Sequence, residues 1–288
     1  MLKLKNERLE ISLQNPGEEY RGSRYDWSSF MTDIILDDKH SFTGVESKIT
    51  QNGSGGKGLC GEFCMENPPG YDETKVGDYF IKIGVGLARK TTAKRYSFAE
   101  PVDIKPITWD VDFKADQVLL SCQQEPHNGF SYELTKKIFI KANSLMIDYK
   151  LINTGDKDII TQEYNHNYLY FNGETIGKNY ELSIDFDPVF NKRTNGISYN
   201  NRKFTFDKNV RHVFFCDDRT ACLGKIASWE LVNKAQGLSV KETLNVPLWK
   251  FAVYGKSYAI CPELFADVKA PAGKTFKWQR KWVFDKDV

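Results

Sequence analysis

The sequence predicts an all-β protein, a large antiparallel β-sandwich (supersandwich), on three observations. Apolar residues recur at period two in many short runs, turn signals separate those runs, and helical spacing of apolar residues is scarce. The chain of 288 residues is 41% hydrophobic and 14% aromatic, ample for a sizeable core. No linker rich in Pro, Gly or Ser divides it, so residues 1–288 are expected to form a single domain.

In chain order, strands are expected at Glu7–Leu13, Asp33–Leu36, Tyr79–Val85, Thr108–Phe113 and Val118–Cys122. The glycine-rich stretch from Asn52 to Gly58 lacks the closing residues of a phosphate loop and reads as an exposed loop. Leu134–Ile140 and the alternating run from Leu145 to Ile152 form a hairpin around Lys141-Ala142-Asn143-Ser144. A turn at Asn153-Thr154-Gly155-Asp156 leads into a strand over Ile159–Phe171. Strands follow at Tyr180–Phe186, Lys203–Phe206, Val213–Cys216 and Trp249–Tyr254, while Ala227–Lys234 suits a turn or two of helix. In the last strand Phe276, Trp278, Arg280, Trp282 and Phe284 share one face.

Lysines and arginines (40) nearly balance acids (38), a formal net charge of +2 that argues against a nucleic-acid partner. Met1 to Arg8 is too charged for a signal peptide, and no apolar stretch is long enough to span a bilayer. A soluble, cytoplasmic protein with no membrane partner is expected, as a monomer or homodimer. The six cysteines (Cys60, Cys64, Cys122, Cys216, Cys222 and Cys261) are scattered and read as small, mostly buried reduced thiols. Cys60 and Cys64 have no second pair or nearby His to complete a zinc site, and no two histidines share ligand spacing, so no metal is expected.

The stretch from Glu163 to Gly173 sets an imidazole among aromatic and amide side chains. In alternation Gln162, Tyr164, His166, Tyr168 and Tyr170 share one face. An imidazole moves protons near neutral pH, and ring faces pack on the C–H groups of a pyranose, so this face suits a sugar site. A half-buried, hydrogen-bonded His in a sheet is the plainer alternative. Of the other histidines, His40 lies in a polar turn and His212 at a strand entrance, while His127 sits in a rim turn that can line a cleft.

Acid–base chemistry needs a second group, and Glu263 is the best carboxylate. It follows Pro262, which should end or bulge its strand and project the glutamate from the rim, among Ile260, Cys261, Leu264 and Phe265. A third constellation is Arg24-Tyr25-Asp26-Trp27: Arg24 and Asp26 share a face, an arginine fork binds sugar hydroxyls, and a tryptophan stacks on the ring. An internal Arg–Asp pair in a turn is the equal alternative.

Tyr164-Asn165-His166-Asn167-Tyr168-Leu169-Tyr170-Phe171-Asn172, with Asn153-Thr154-Gly155 upstream, resembles the galactose mutarotase-like (aldose 1-epimerase) family. Glu263, the turn Ala270-Pro271-Ala272-Gly273 and the final aromatic strand resemble the family's end. Gly22 to Trp27 resembles a branch of mutarotase-like proteins of unassigned substrate. The resemblance implies a β-supersandwich that interconverts sugar anomers without a cofactor. Glu263 would take the proton of the anomeric hydroxyl and His166 would protonate the ring oxygen. Arg24 and Asp26 would lie against the sugar, with Trp27, Tyr164 and Tyr168 packing on it. One departure stands out: Val85 occupies the place of the family's usual second histidine, leaving Lys82, Arg89 or His127 as candidate substitutes. A non-catalytic carbohydrate-binding protein on the same scaffold is the alternative, and a polysaccharide lyase or hydrolase module is disfavoured by the lack of a helical catalytic domain.

Overall fold

Period-two runs bury one face each only if they pair into sheets that pack together, and the computed structural model shows two large antiparallel sheets and one small one. It describes residues 1–28, 30–47, 55–66, 68–98, 102–190, 196–218, 224 and 226–288. The order across the first large sheet is Leu2–Lys5, Leu9–Leu13, Met31–Leu36, Leu59–Phe63, Ile159–Asn167, Ala259–Ala270, Leu248–Lys256 and Phe214–Asp218. The short strand His40–Ser41 pairs with Met31–Leu36. The second runs Ile197–Asn200, Lys203–Phe206, Tyr180–Ile184, Ala227–Asn233, Leu238–Leu244, Thr275–Lys286, Ser144–Asn153, Phe130–Lys141, Gln117–His127 and Asp110–Lys114. Tyr79–Lys82, Gly86–Arg89 and Ile104–Pro106 make the small sheet.

The all-β expectation and the two-residue hairpin at Ala142-Asn143 hold, with Ala142 at φ 49 in the left-handed region. Four details of the sequence reading change. Ala227–Asn233 is a strand paired on both sides, so tertiary pairing overrides its weak helical spacing. The histidine strand ends at Asn167, and Phe171–Gly173 closes into a single 3-10 turn. Gly56 and Gly58, at the end of the glycine-rich stretch, are buried rather than exposed, while residues 48–54 lie outside the described residues. A side chain at Gly56 would start 2.3 Å from Tyr168 Cε2, so close approach demands glycine there.

The fourth change concerns Pro262, which neither ends nor bulges the strand Ala259–Ala270. Ile260 exchanges both backbone hydrogen bonds with Leu169 at 3.0 Å, so Pro262, two residues on, aims its nitrogen at the same neighbour. Its missing N–H falls opposite Asn167, whose side-chain Nδ2 donates to the Pro262 carbonyl at 2.6 Å. The amide keeps the two strands joined across the gap. Glu263 is therefore buried in mid-strand instead of standing at the rim.

The core lies between the large sheets. Glu163 and Asn167 point into it: Glu163 accepts from Trp278 Nε1 (2.9 Å) and Arg280, and Asn167 Oδ1 accepts from Trp282 Nε1 (3.0 Å). Alternation then sends Tyr164 and His166 to the opposite face of the first sheet. The small sheet and the loop holding Arg24 and Tyr25 cover that face.

Candidate active site

Three adjacent strands supply the floor of the site. His166 lies opposite Cys60 on Leu59–Phe63, and Tyr164 opposite Glu62. On the other side Tyr164 pairs with Phe265 and Leu169 with Ile260, a constant register that sets His166 across from Glu263. His166 Nδ1 is 2.6 Å from Glu263 Oε1, and Nε2 is 3.0 Å from Glu62 Oε2. The ring is thus held between two carboxylates. Tyr164 stacks on Phe265 at 3.9 Å between centroids and tilts against His166 at 4.6 Å. Tyr25 meets His166 edge-on, and the Tyr168 hydroxyl lies 3.4 Å from Nδ1.

Cations compensate the acids. Arg24 Nε donates to Glu62 Oε2 (3.1 Å) and Nη1 to Glu46 Oε1 (2.9 Å), while Lys82 Nζ lies 3.6 Å from Glu62 Oε1. Lys82, fully buried, also donates to the carbonyls of Phe63 and Cys64. Burial works against charge on Glu62, but Lys82, the hydrogen bond from His166 and Arg24 outweigh it and lower its pKa to about 2. Burial likewise opposes charge on His166, yet Glu263's charge and the hydrogen bonds to Glu263 and Glu62 raise its pKa above the ordinary value. Desolvation pushes the phenols of Tyr25, Tyr164 and Tyr168 well up, so all three stay protonated. The arrangement sets an imidazole whose charged form is favoured against a carboxyl group in a dry setting, a pair able to give and take a proton.

The candidate residues named from sequence divide into two groups. His166, Glu263, Tyr164, Tyr168 and Arg24 come together. Arg24 and Asp26, however, turn to different partners among the described residues. Asp26 turns inward to a buried ion pair with Lys136 of the second sheet and accepts from Ser28 N and Oγ. Trp27 lies in an apolar cluster with Tyr20, Tyr25 and Phe30, its Nε1 donating to Gly22 O at 2.8 Å. His127 Nε2 bonds Tyr79 O (2.6 Å) and Arg89 Nε bonds Gly77 O (3.0 Å), so of the three substitutes only Lys82 reaches the cluster. Val85 packs with Tyr25 and Tyr168.

Glu62 and Glu46 went unnoticed in the sequence. Leu59–Phe63 is buried at every position, so it shows no alternation, and Glu62 sits in it behind Gly61 as a lone acid. A charged residue inside an otherwise apolar five-residue run was the one available signal. The aromatic segment that covers the cations borders a cleft of about 690 Å³ lined by Met65, Glu66, Asp72, Arg95, Tyr96 and Phe98. Phe98 lies 4.4 Å from the Arg24 guanidinium and Tyr96 5.3 Å from Lys82 Nζ. His166, Cys261 and Glu263 also bring three potential metal donors within 4.8 Å of one another.

This architecture is the galactose mutarotase-like fold, an antiparallel β-supersandwich. The chain is similar to the GalM/aldose epimerase homologue from C. elegans, with 11% identity, a TM-score of 0.63, and coverage of 99% of this chain and 98% of that one. It is similar to a galactose mutarotase related enzyme from Lactobacillus acidophilus (9% identity, TM-score 0.60, 100% and 98% covered). The Slr1438 protein from Synechocystis sp. PCC 6803 gives 10% identity, a TM-score of 0.61, and 99% and 95% covered. No protein-family model and no curated protein matches the sequence. Among the described residues no helix is long and apolar enough to cross a membrane.

Proposed function

We propose that this chain is an aldose 1-epimerase-like isomerase that interconverts the anomers of a sugar, with His166 as acid and Glu263 as base. The observation that carries the reading is the 2.6 Å contact of His166 Nδ1 with Glu263 Oε1, made by side chains of adjacent strands on a face walled with tyrosines. A sugar's O1 and O5, bonded to one carbon, enter between the two groups. Glu263 takes the proton of the O1 hydroxyl as His166 gives one to O5, and the C1–O5 bond breaks to leave the open-chain aldehyde. Rotation about C1–C2 presents the other carbonyl face. On reclosure the O5 proton returns to His166 and Glu263 reprotonates O1, so the protein ends unchanged. Ring opening and reclosure each move two protons, and neither calls on a cofactor.

Tyr164 is buried beside Glu62 and the His166 ring, which suits its hydroxyl to meet a sugar hydroxyl. The Nη2 group of Arg24 is the one part of that guanidinium not engaged by Glu62 or Glu46, and it supplies a second donor. The test is polarimetry or NMR of freshly dissolved α-glucose and α-galactose with the protein. Acceleration is expected in wild type and a loss of at least about 100-fold in H166A and E263Q. Equal rates in both variants and wild type would sink the assignment.

A second reading, a non-catalytic sugar-binding protein, is favoured by one observation. His166 and Glu263 are only 3% and 4% exposed, so the pair must part to admit a sugar. That reading predicts saturable binding in E263Q and wild type alike, with no acceleration by either.

A further inference from the structure

We infer that Glu62 is the positioning residue that orients the His166 ring and makes Nδ1, rather than Nε2, the nitrogen that passes the proton to the sugar; the step it serves rests on the mutarotase reading above. The two carboxylates that flank the ring are held differently. Glu62 Oε2 accepts from both His166 Nε2 (3.0 Å) and Arg24 Nε (3.1 Å), and its Oε1 faces Lys82 (3.6 Å). Lys82 is itself anchored on the Phe63 and Cys64 carbonyls, and Glu62 is wholly buried on a strand paired directly to the histidine strand. Swinging this carboxylate away would break three polar contacts and take the facing carboxylate from the buried Lys82.

Among the described residues Glu263 has no such anchorage. Its Oε1 meets His166 Nδ1 and the Cys261 thiol, which donates at 3.4 Å. The Nδ1 side is the side that opens, and a sugar oxygen can replace Glu263 there without disturbing an ion pair with Arg24 or Lys82. Nε2 keeps its partner throughout.

The charges facing His166 favour this division. Glu62 and Glu263 are the acids in contact with it, and the charge of Arg24 works against its own. Tyr25, Tyr164 and Tyr168 remain neutral around the ring, as do the buried thiols of Cys60 and Cys261, which desolvation pushes well up. A fixed negative charge at Nε2 sustains the imidazolium while Glu263 is occupied by substrate. Once Nδ1 has given up its proton, the ring remains as the single Nε2–H tautomer, aimed to take the proton back from O5.

The experiment uses the full chain with ¹⁵N-labelled histidine, wild type and E62Q, followed by NMR titration and by the pH profile of α-glucose and α-galactose mutarotation. Glutamine still accepts from Nε2–H but carries no charge. The His166 titration and the alkaline limb of the rate are therefore expected to move down together by about one pH unit or more. A limb and titration that stay in place while the rate falls at every pH would mean a merely structural role and overturn the inference. Wild type gives an independent readout: above its titration His166 should carry its proton on Nε2, and a proton on Nδ1 overturns the inference whether or not E62Q folds. If neither sugar is turned over, the mutarotase reading fails while the tautomer measurement still decides the role of Glu62.

Discussion

His166 and Glu263 face each other across neighbouring strands at 2.6 Å, at the point where Pro262 interrupts the backbone ladder between those strands. The proline leaves the register intact because its absent N–H lies opposite Asn167, which spans the gap through its side chain. P262A should change stability by less than about 1 kcal/mol, since the lost chain stiffness and the recovered ladder hydrogen bond are of similar size and opposite sign. Denaturant unfolding checks this. N167A should be far more damaging, because it also removes the acceptor of Trp282 Nε1 and the donor to Glu242 in the core.

The Asp26–Lys136 ion pair, fully buried at both ends, ties the loop that carries Arg24 to the second sheet. Removing one partner takes the ion pair from a buried charge, so D26A or K136M should each cost about 3–5 kcal/mol in unfolding free energy. The double variant D26A/K136M should be less destabilised than the sum of the two. Additive losses would show that the pair is not coupled.

Gly56 lies against the site through its lack of a side chain. In G56A the new methyl would start 2.3 Å from Tyr168 Cε2 and 2.9 Å from Tyr25 Oη. The expected result is a loss of about 1–3 kcal/mol from overpacking, together with weakened sugar turnover as both rings shift. An unchanged melting temperature and rate would refute the close approach.

The pH dependence of stability follows from Glu62 and His166. Glu62 has a folded pKa lowered to about 2, so its contribution is present above its unfolded value of 4.5 and is lost as pH falls toward 2. That contribution is on the order of 3 kcal/mol, and E62Q should flatten the acid side of the stability curve by a similar amount. His166 has a raised folded pKa, so its share is fully present below 6.5 and lost as pH rises through the folded value. H166A should therefore lose less stability at alkaline pH than near pH 6, as read by chemical denaturation across that range.

Much of the fold was legible because a half-buried strand writes its orientation into alternate residues. The hairpin through Ala142-Asn143 and the aromatic face of Thr275–Lys286 are of this kind. Leu59–Phe63 was illegible for the same reason reversed: covered on both faces, it carries no alternation. Ala227–Asn233 misled because pairing with Tyr180–Ile184 and Leu238–Leu244, elsewhere in the chain, decides its conformation.

The site divides along the same line. The sequence by itself determined the β architecture and the aromatic wall, since these depend on residue type and local period; that Glu263 lies buried in mid-strand against His166, rather than at a rim, was decided by strand pairing. Only the tertiary structure decided that Arg24 answers Glu62 and Glu46 while Asp26 answers Lys136. It also decided that Trp27 belongs to an apolar cluster and that Glu62 stands behind the imidazole. Those pairings join residues up to 110 positions apart. Charge compensation in a buried site is settled by which strands become neighbours, and no local pattern records that.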